Sequence, residues 1–149
     1  MTDTPRPEMP TTRSAYDEPI HAEGMRVRRE VLGDEHVDRA RAQTSDFSEE
    51  FQDFITRHAW GAIWVRPGLD RRMRSALTLA LLTALHATHE IPMHVRAAIR
   101  HGLTPDEIRE VLLHTSVYAG VPTANHAFAV ADQALRELGL ATPVDPASD

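Results

Sequence analysis

From Ala22 to Leu138 the apolar residues recur at intervals of three and four, and nowhere do they alternate with period two for long enough to make a strand. This periodicity restricts the chain to an all-α fold, a compact bundle of about six to seven helices with no sheet. Breakers divide the pattern. Gly33 ends a first helix over residues 22–32, and Asp34 can cap a second from Glu35 to Gln43. Ser45 offers an N-cap for a third, which carries Phe47, Phe51, Phe54 and Ile55 on one stripe, runs on through Trp60 and Trp64 and ends before Pro67-Gly68. The fourth starts near Asp70, with Met73, Leu77, Ala80, Leu81, Ala84 and Leu85 as its expected buried face. Leu79 and Leu82 fall off that face, so the helix is apolar nearly all round, as central or partner-covered helices are. A break near His89 to Pro92 leads to a fifth helix, Met93 to His101, stopped by Gly102. Thr104-Pro105-Asp106-Glu107 spells a capping box with Pro at the first helical position, opening a sixth helix that reaches Gly120. Pro122 opens a seventh, which Gly139 ends.

The length of 149 residues suits one domain, expected over residues 21–140. Residues 1–20, rich in Pro, Thr and charge, are expected to form a disordered arm, and 141–149 a disordered tail. There is no cysteine, which removes disulfides, thiolate metal sites and any thiol nucleophile together. Sixteen basic residues, all arginine, stand against 22 acidic ones for a net charge of −6, a balance that argues against a nucleic-acid partner. No apolar leader core is visible near the start, and the longest apolar stretch, Ala76 to Ala87, is too short to span a bilayer. A cytoplasmic location without a membrane partner is the expectation.

Several residues invite a chemical reading. Glu90 and His94 are four apart, so on a helix both project from one face, where a carboxylate can orient an imidazole and raise its pKa. An ordinary surface pair has the same spacing. His86, Glu90 and His94 at successive intervals of four suggest a metal site, but the break between His89 and Pro92 spoils their register, and no metal is expected. Trp60 and Trp64, again four apart, read as core, as a pocket wall, or as both. Asn125 and His126 follow Gly120-Val121-Pro122 at the start of the last helix, where backbone amides favour anions. His114 reads as a buried, satisfied histidine. Arg71, Arg72 and Arg74 open the fourth helix; a solvated face accounts for most of them.

Three longer segments carry a resemblance. GMRVRREVLGDEHVDRA (24–40), ITRHAWGAIWVRPGLDRRMRSALTLALL (55–82) and HVRAAIRHGLTPDEIREVLLHTSVYAGVPTANHAF (94–128) resemble, in order, the 4-carboxymuconolactone decarboxylases, and the likeness covers nearly all of residues 20–140. The wider superfamily includes alkylhydroperoxidases with a Cys-x-x-Cys pair followed four residues later by a His. Here His94, Ala98 and Gly102 fit the superfamily's His-x-x-x-Ala-x-x-x-Gly frame, while Ala87 and Glu90 stand where the cysteines would be. The resemblance therefore implies the alkylhydroperoxidase-like fold without its thiol chemistry.

It further implies a lyase acting on an unsaturated lactone that bears two carboxylates, within protocatechuate catabolism, and a homo-oligomer, trimer or hexamer. Loss of the ring carboxylate leaves an electron pair that the ring double bond conveys to the lactone carbonyl, so the substrate is its own electron sink and no cofactor is implied. Such a site needs a cation for the spectator carboxylate, donors for the lactone oxygen and an acid for carbon. The resemblance casts His94 as proton donor with Glu90 beside it. Arg74, one turn from Leu77, is the expected anchor and Arg96 the second choice. Trp60, Trp64, Asn125 and His126 complete the expected substrate contacts.

Overall fold

The computed structural model describes residues 17–144. Seven α-helices follow one another: α1 (Asp17–Leu32), α2 (Asp34–Ala42), α3 (Glu49–Ile55), α4 (Arg71–Ala84), α5 (Ile91–Arg100), α6 (Pro105–Ala119) and α7 (Val121–Glu137). A π-helical segment, Thr56–Trp64, continues α3, and a 3-10 turn, Thr88–Glu90, precedes α5. No strand occurs among the described residues, so the all-α expectation holds. Residues 1–16 and 145–149, most of the expected arm and tail, lie outside the described residues; 17–20 belong to α1.

Local chemistry explains most of the boundaries. Gly33, at φ 89°, turns the chain between α1 and α2, and Arg100 reaches across to donate to the Val31 carbonyl at 2.6 Å. The Asp70 carboxylate accepts the Met73 N–H at 2.7 Å and starts α4. At α6 the capping box is complete: Thr104 Oγ1 accepts the Glu107 N–H at 3.2 Å, and the Glu107 carboxylate accepts the Thr104 N–H at 2.9 Å. Ser45, expected as an N-cap, instead opens a turn closed by the Ser48 N–H on its carbonyl at 3.1 Å, and α3 begins only at Glu49.

Two hydrophobic clusters share α5. Leu79, Ile91, Val95, Ala98, Ile108, Leu112 and the alanines of α7 form the larger one, among α4 to α7. Val27, Val31, Val37, Trp60 and Ala97 form the smaller, which ties α1, α2 and the π-helical segment to the other side of α5. Residues at adjacent positions of α5 thus face different cores, and His94 sits at their junction.

The fourth helix corrects the sequence reading. Its buried face is Ser75, Leu79 and Thr83, whereas Met73, Leu77, Leu81, Ala84 and Leu85 are exposed. The polar residues tolerate burial because each finds a partner: Thr83 Oγ1 donates to the Leu79 carbonyl at 2.8 Å, and Ser75 Oγ lies 2.9 Å from His101 Nδ1. Apolar spacing alone does not say which of two apolar faces meets the chain's own core. Phe47, Phe51 and Phe54 are likewise exposed, as is His114, which the sequence reading had placed inside.

A close crossing of α1 with the π-helical segment fixes the smaller core. A Cβ on Gly24 would overlap the Thr56 carbonyl oxygen and stand 2.9 Å from the Gly61 nitrogen; one on Gly61 would stand 2.5 Å from the Ile20 carbonyl oxygen. The obstructing atoms are backbone and cannot swing aside. Gly24→Ala is therefore expected to cost about 1–3 kcal/mol, the usual scale of overpacking, read as a lowered urea midpoint. An unchanged midpoint would mean that the two helices can separate freely.

Candidate active site

Glu90 ends the 3-10 turn and immediately precedes α5, and His94 follows one helical turn later. Pro92 falls within that first turn, where its missing N–H has no intrahelical partner. The two residues thus stand one turn apart, on either side of the start of α5. Among the described residues no hydrogen bond joins the two side chains. Glu90 has its carboxylate 3.4 Å from His89 Nε2, and His94 Nδ1 is buried without a partner.

Electrostatics corrects the expected protonation of His94. Burial pushes its pKa below the usual histidine value; Glu90 pulls it up and His36 pushes it down, and burial prevails. The same holds for His36 on α2, lowered by burial, Arg28 and Arg39 against the opposing pull of Glu90. His36 (α2) thus connects three ionisable residues from other places in the chain: Arg28 (α1) and Glu90 (3-10 turn) act on it, and it acts in turn on His94 (α5). The sequence reading missed Arg28 and His36. One signal for Arg28 was available, since it falls among Gly24, Val27 and Val31 on the apolar stripe of α1, where a charge is out of place.

The other expected residues are placed as follows. Trp60 is buried in the smaller core, and Trp64 packs against it with ring centroids 5.2 Å apart and planes at 35°. Trp64 also meets His101, at 6.3 Å. Arg96 lines a cleft of about 560 Å³ together with His36, Met93, Arg39 and Arg100, but its guanidinium is paired with Glu137 on α7. Arg74 donates to the Arg66 carbonyl at 3.1 Å and so is turned toward the loop that precedes α4. Asn125 and His126 are exposed on the first turns of α7. None of these last four is joined to Glu90 or His94 by a hydrogen bond or ion pair among the described residues.

The segment before Glu90 is held under strain. His86 adopts φ 58°, a left-handed conformation that a residue with a Cβ rarely takes. Its Nε2 lies 3.2 Å from Thr123 Oγ1, which ties the loop after α4 to the start of α7. Such strain persists only where the surroundings enforce it.

The depressed histidines make acid stability a test of this geometry. Burial is the largest cause at His36, His94 and His101 alike. A histidine whose folded pKa lies below its unfolded value of about 6.5 stabilises the fold above that value, and the contribution is lost as pH falls through the folded pKa. The urea midpoint should therefore decline over the window that opens as pH falls below about 6.5, before the paired carboxylates begin to titrate. A flat profile across that window would contradict the burial of these rings.

Comparisons with known proteins agree in direction. Residues 49–133 match the carboxymuconolactone decarboxylase family. A 4-carboxymuconolactone decarboxylase of Acinetobacter baylyi is 46% identical over 125 residues, covering 84% of this chain and 93% of its own. A nitrosuccinic acid decarboxylase of Metarhizium robertsii is 43% identical over 116 residues, 78% of this chain and 81% of its own. A 4-carboxymuconolactone decarboxylase of Pseudomonas putida shares 63% over 38 residues, 26% of this chain and 79% of its own.

Proposed function

The chain belongs to the carboxymuconolactone decarboxylase family, and from that premise we propose that it is a carboxy-lyase converting 4-carboxymuconolactone to the enol-lactone of β-ketoadipate and CO2. The observation that carries the reading is the His94 site: an imidazole at the start of α5 whose Nδ1 is buried without a partner, one turn from the Glu90 carboxylate, with its pKa pushed down by burial and by His36 and pulled up by Glu90.

The reaction breaks the bond between the ring carbon and its carboxylate. CO2 leaves, and the bonding pair passes through the ring double bond to the lactone oxygen, giving an oxyfuran dienolate. A proton added at the carbon next to the carbonyl restores the lactone, with the remaining double bond now beside the ring oxygen. Each turnover consumes one proton. In this reading His94 delivers it. Burial leaves the free imidazole short of protons at neutral pH, but a bound dicarboxylate favours imidazolium, as Glu90 already does. The substrate thus helps to charge the acid that completes its own reaction. Trp60 and Trp64 supply the apolar wall, which favours loss of a charged carboxylate in a water-poor site. No cofactor is called for, since the substrate holds the electrons itself.

A second substrate has a specific observation behind it, the similarity to a nitrosuccinic acid decarboxylase. Nitrosuccinate also carries two carboxylates, one beside a group that can take the electron pair. The same cation, wall and proton donor would serve both. Comparing kcat/KM for the lactone and for nitrosuccinate decides between them. We expect the lactone to be the better substrate; the reverse order would reassign the enzyme, and no turnover of either would end the reading.

The exposed row Met73, Leu77, Leu81 and Leu85 on α4, with Leu113, Val117 and Tyr118 exposed on the neighbouring α6, leads us to propose a homo-oligomer, trimer or hexamer. No helix of the described residues is long and apolar enough to cross a membrane, and we take the cytoplasm to be the place of work.

A further inference from the structure

We propose that Arg28, held by Gln52 and Thr56, binds a carboxylate of the substrate in the cavity between α1, α2 and α3, the role that the sequence reading gave to Arg74 or Arg96. That the anion is a substrate carboxylate rests on the decarboxylase reading; that an anion belongs there rests on Arg28 itself.

Arg28 is only 5% exposed. Its two terminal nitrogens donate to Thr56 Oγ1 at 3.3 Å and Gln52 Oε1 at 3.0 Å, both neutral acceptors, and its Nε is buried without any partner. Other arginines differ. Arg96 is paired with Glu137, Arg72 with Glu107, Arg71 with Glu30 and Arg57 with Asp53. Among the described residues no carboxylate pairs with Arg28. A buried guanidinium without a counter-charge is costly, and folding alone gives no reason to keep one. A ligand anion would supply the missing charge.

The surroundings suit that ligand. Arg28, Gln52 and Thr56 line a cavity of about 550 Å³, ample for a small dicarboxylate, and Arg41 adds a second cation to its wall. Asp46, Glu49 and Asp53 line it too; Asp53 is paired with Arg57, while Asp46 and Glu49 are exposed to water. The Gly24–Gly61 crossing fixes the geometry, because it presses the α1 backbone one turn before Arg28 against Thr56. His94 and Glu90 do not line this cavity. The link to them runs through His36, on which both Arg28 and Glu90 act and which acts in turn on His94. An anion on Arg28 would therefore ease protonation of His36, which the guanidinium now opposes.

The test uses the full chain and succinate as a dicarboxylate probe. Arg28→Met keeps an unbranched apolar stem about as far as Nε and loses the rest of the guanidinium with its charge. Its melting temperature should equal or exceed that of the wild type, while kcat/KM for the lactone falls about 10²-fold or more, the scale of a broken buried charge pair. Succinate should raise the melting temperature of the wild type, Arg74→Met and Arg96→Met, and leave Arg28→Met unmoved. Arg28→Lys, which keeps charge but not the planar fork, should weaken succinate binding about tenfold. A wild type indifferent to succinate, protection that persists in Arg28→Met, or an unchanged succinate Kd in Arg28→Lys each overturns the proposal. The last of these decides the matter even if Arg28→Met does not fold. A wild type that binds succinate through Arg28 yet leaves the lactone intact would refute the decarboxylase reading and spare the anion site.

Discussion

Replacing His94 by Gln is expected to slow decarboxylation by roughly 10²–10⁴-fold, the usual scale for a lost general acid, with the fold intact. Glutamine keeps a polar head of similar reach in the largely buried setting at the start of α5 but offers no acid. The dienolate left by CO2 loss must be protonated on carbon before it recaptures CO2, and the variant has no acid at that position to do it. The pH profile adds a second readout. Because burial lowers the His94 pKa in the free protein, kcat/KM should fall as pH rises through a value below about 6.5. In kcat, which reports the bound state, the limb should lie at higher pH, since the dianionic substrate favours imidazolium. Removing the upward pull of the carboxylate by Glu90→Gln should move the kcat/KM limb to still lower pH. A His94→Gln enzyme that retains full rate and stereospecific deuteration in D2O would pass the role of donor to Glu90 or His126.

A single charge on α4 is expected to take the proposed homo-oligomer apart. Met73, Leu77, Leu81 and Leu85 make an exposed row about 18 Å long at 1.5 Å per residue, and monomers rarely leave so continuous an apolar face to water. Leu81, 60% exposed and third in the row, contributes little to the fold of one chain, whose buried face on that helix is Ser75, Leu79 and Thr83. Leu81→Glu should therefore leave helicity unchanged. At an interface it would bury an unpaired carboxylate, at about 3–5 kcal/mol for each copy, or roughly two to three and a half decades in an association constant for each such carboxylate. Light scattering should show an oligomer for the wild type and the mass of one chain for the variant. A monomeric wild type would remove the partner from the account.

These two residues also mark how far sequence reasoning reached. The start of α5 just before His94 was legible because it is decided locally: Pro92 fits only the first turn of a helix. Helix limits at Gly33, Asp70, Thr104 and Gly120 were legible for the same reason, since each is decided by a residue's own backbone preference or by a cap three positions on. The buried face of α4 was not. Its two apolar faces look alike in spacing, and the choice between them is made by α5, α6 and α7, which contact it from afar in sequence. Nor did helical periodicity foretell the π-helical winding of Thr56–Trp64, which passes α1 at Gly24 and Gly61. The pKa of His94 was misjudged because the pull of Glu90 can be read from spacing, whereas the larger push from burial exists only once both cores are assembled. Arg28 was hidden among 16 basic residues, all arginine, although its place on an apolar stripe was visible.

The most direct measurement is the stoichiometry of the reaction itself. Chelator-treated, dialysed protein is mixed with 4-carboxymuconolactone in D2O, with CO2 followed by mass spectrometry and the product by NMR. The account predicts one CO2 for each lactone consumed, and an enol-lactone carrying one solvent deuterium on the carbon beside the carbonyl, on one face only. Unchanged lactone, or turnover that returns only when a metal or organic cofactor is added, would contradict it.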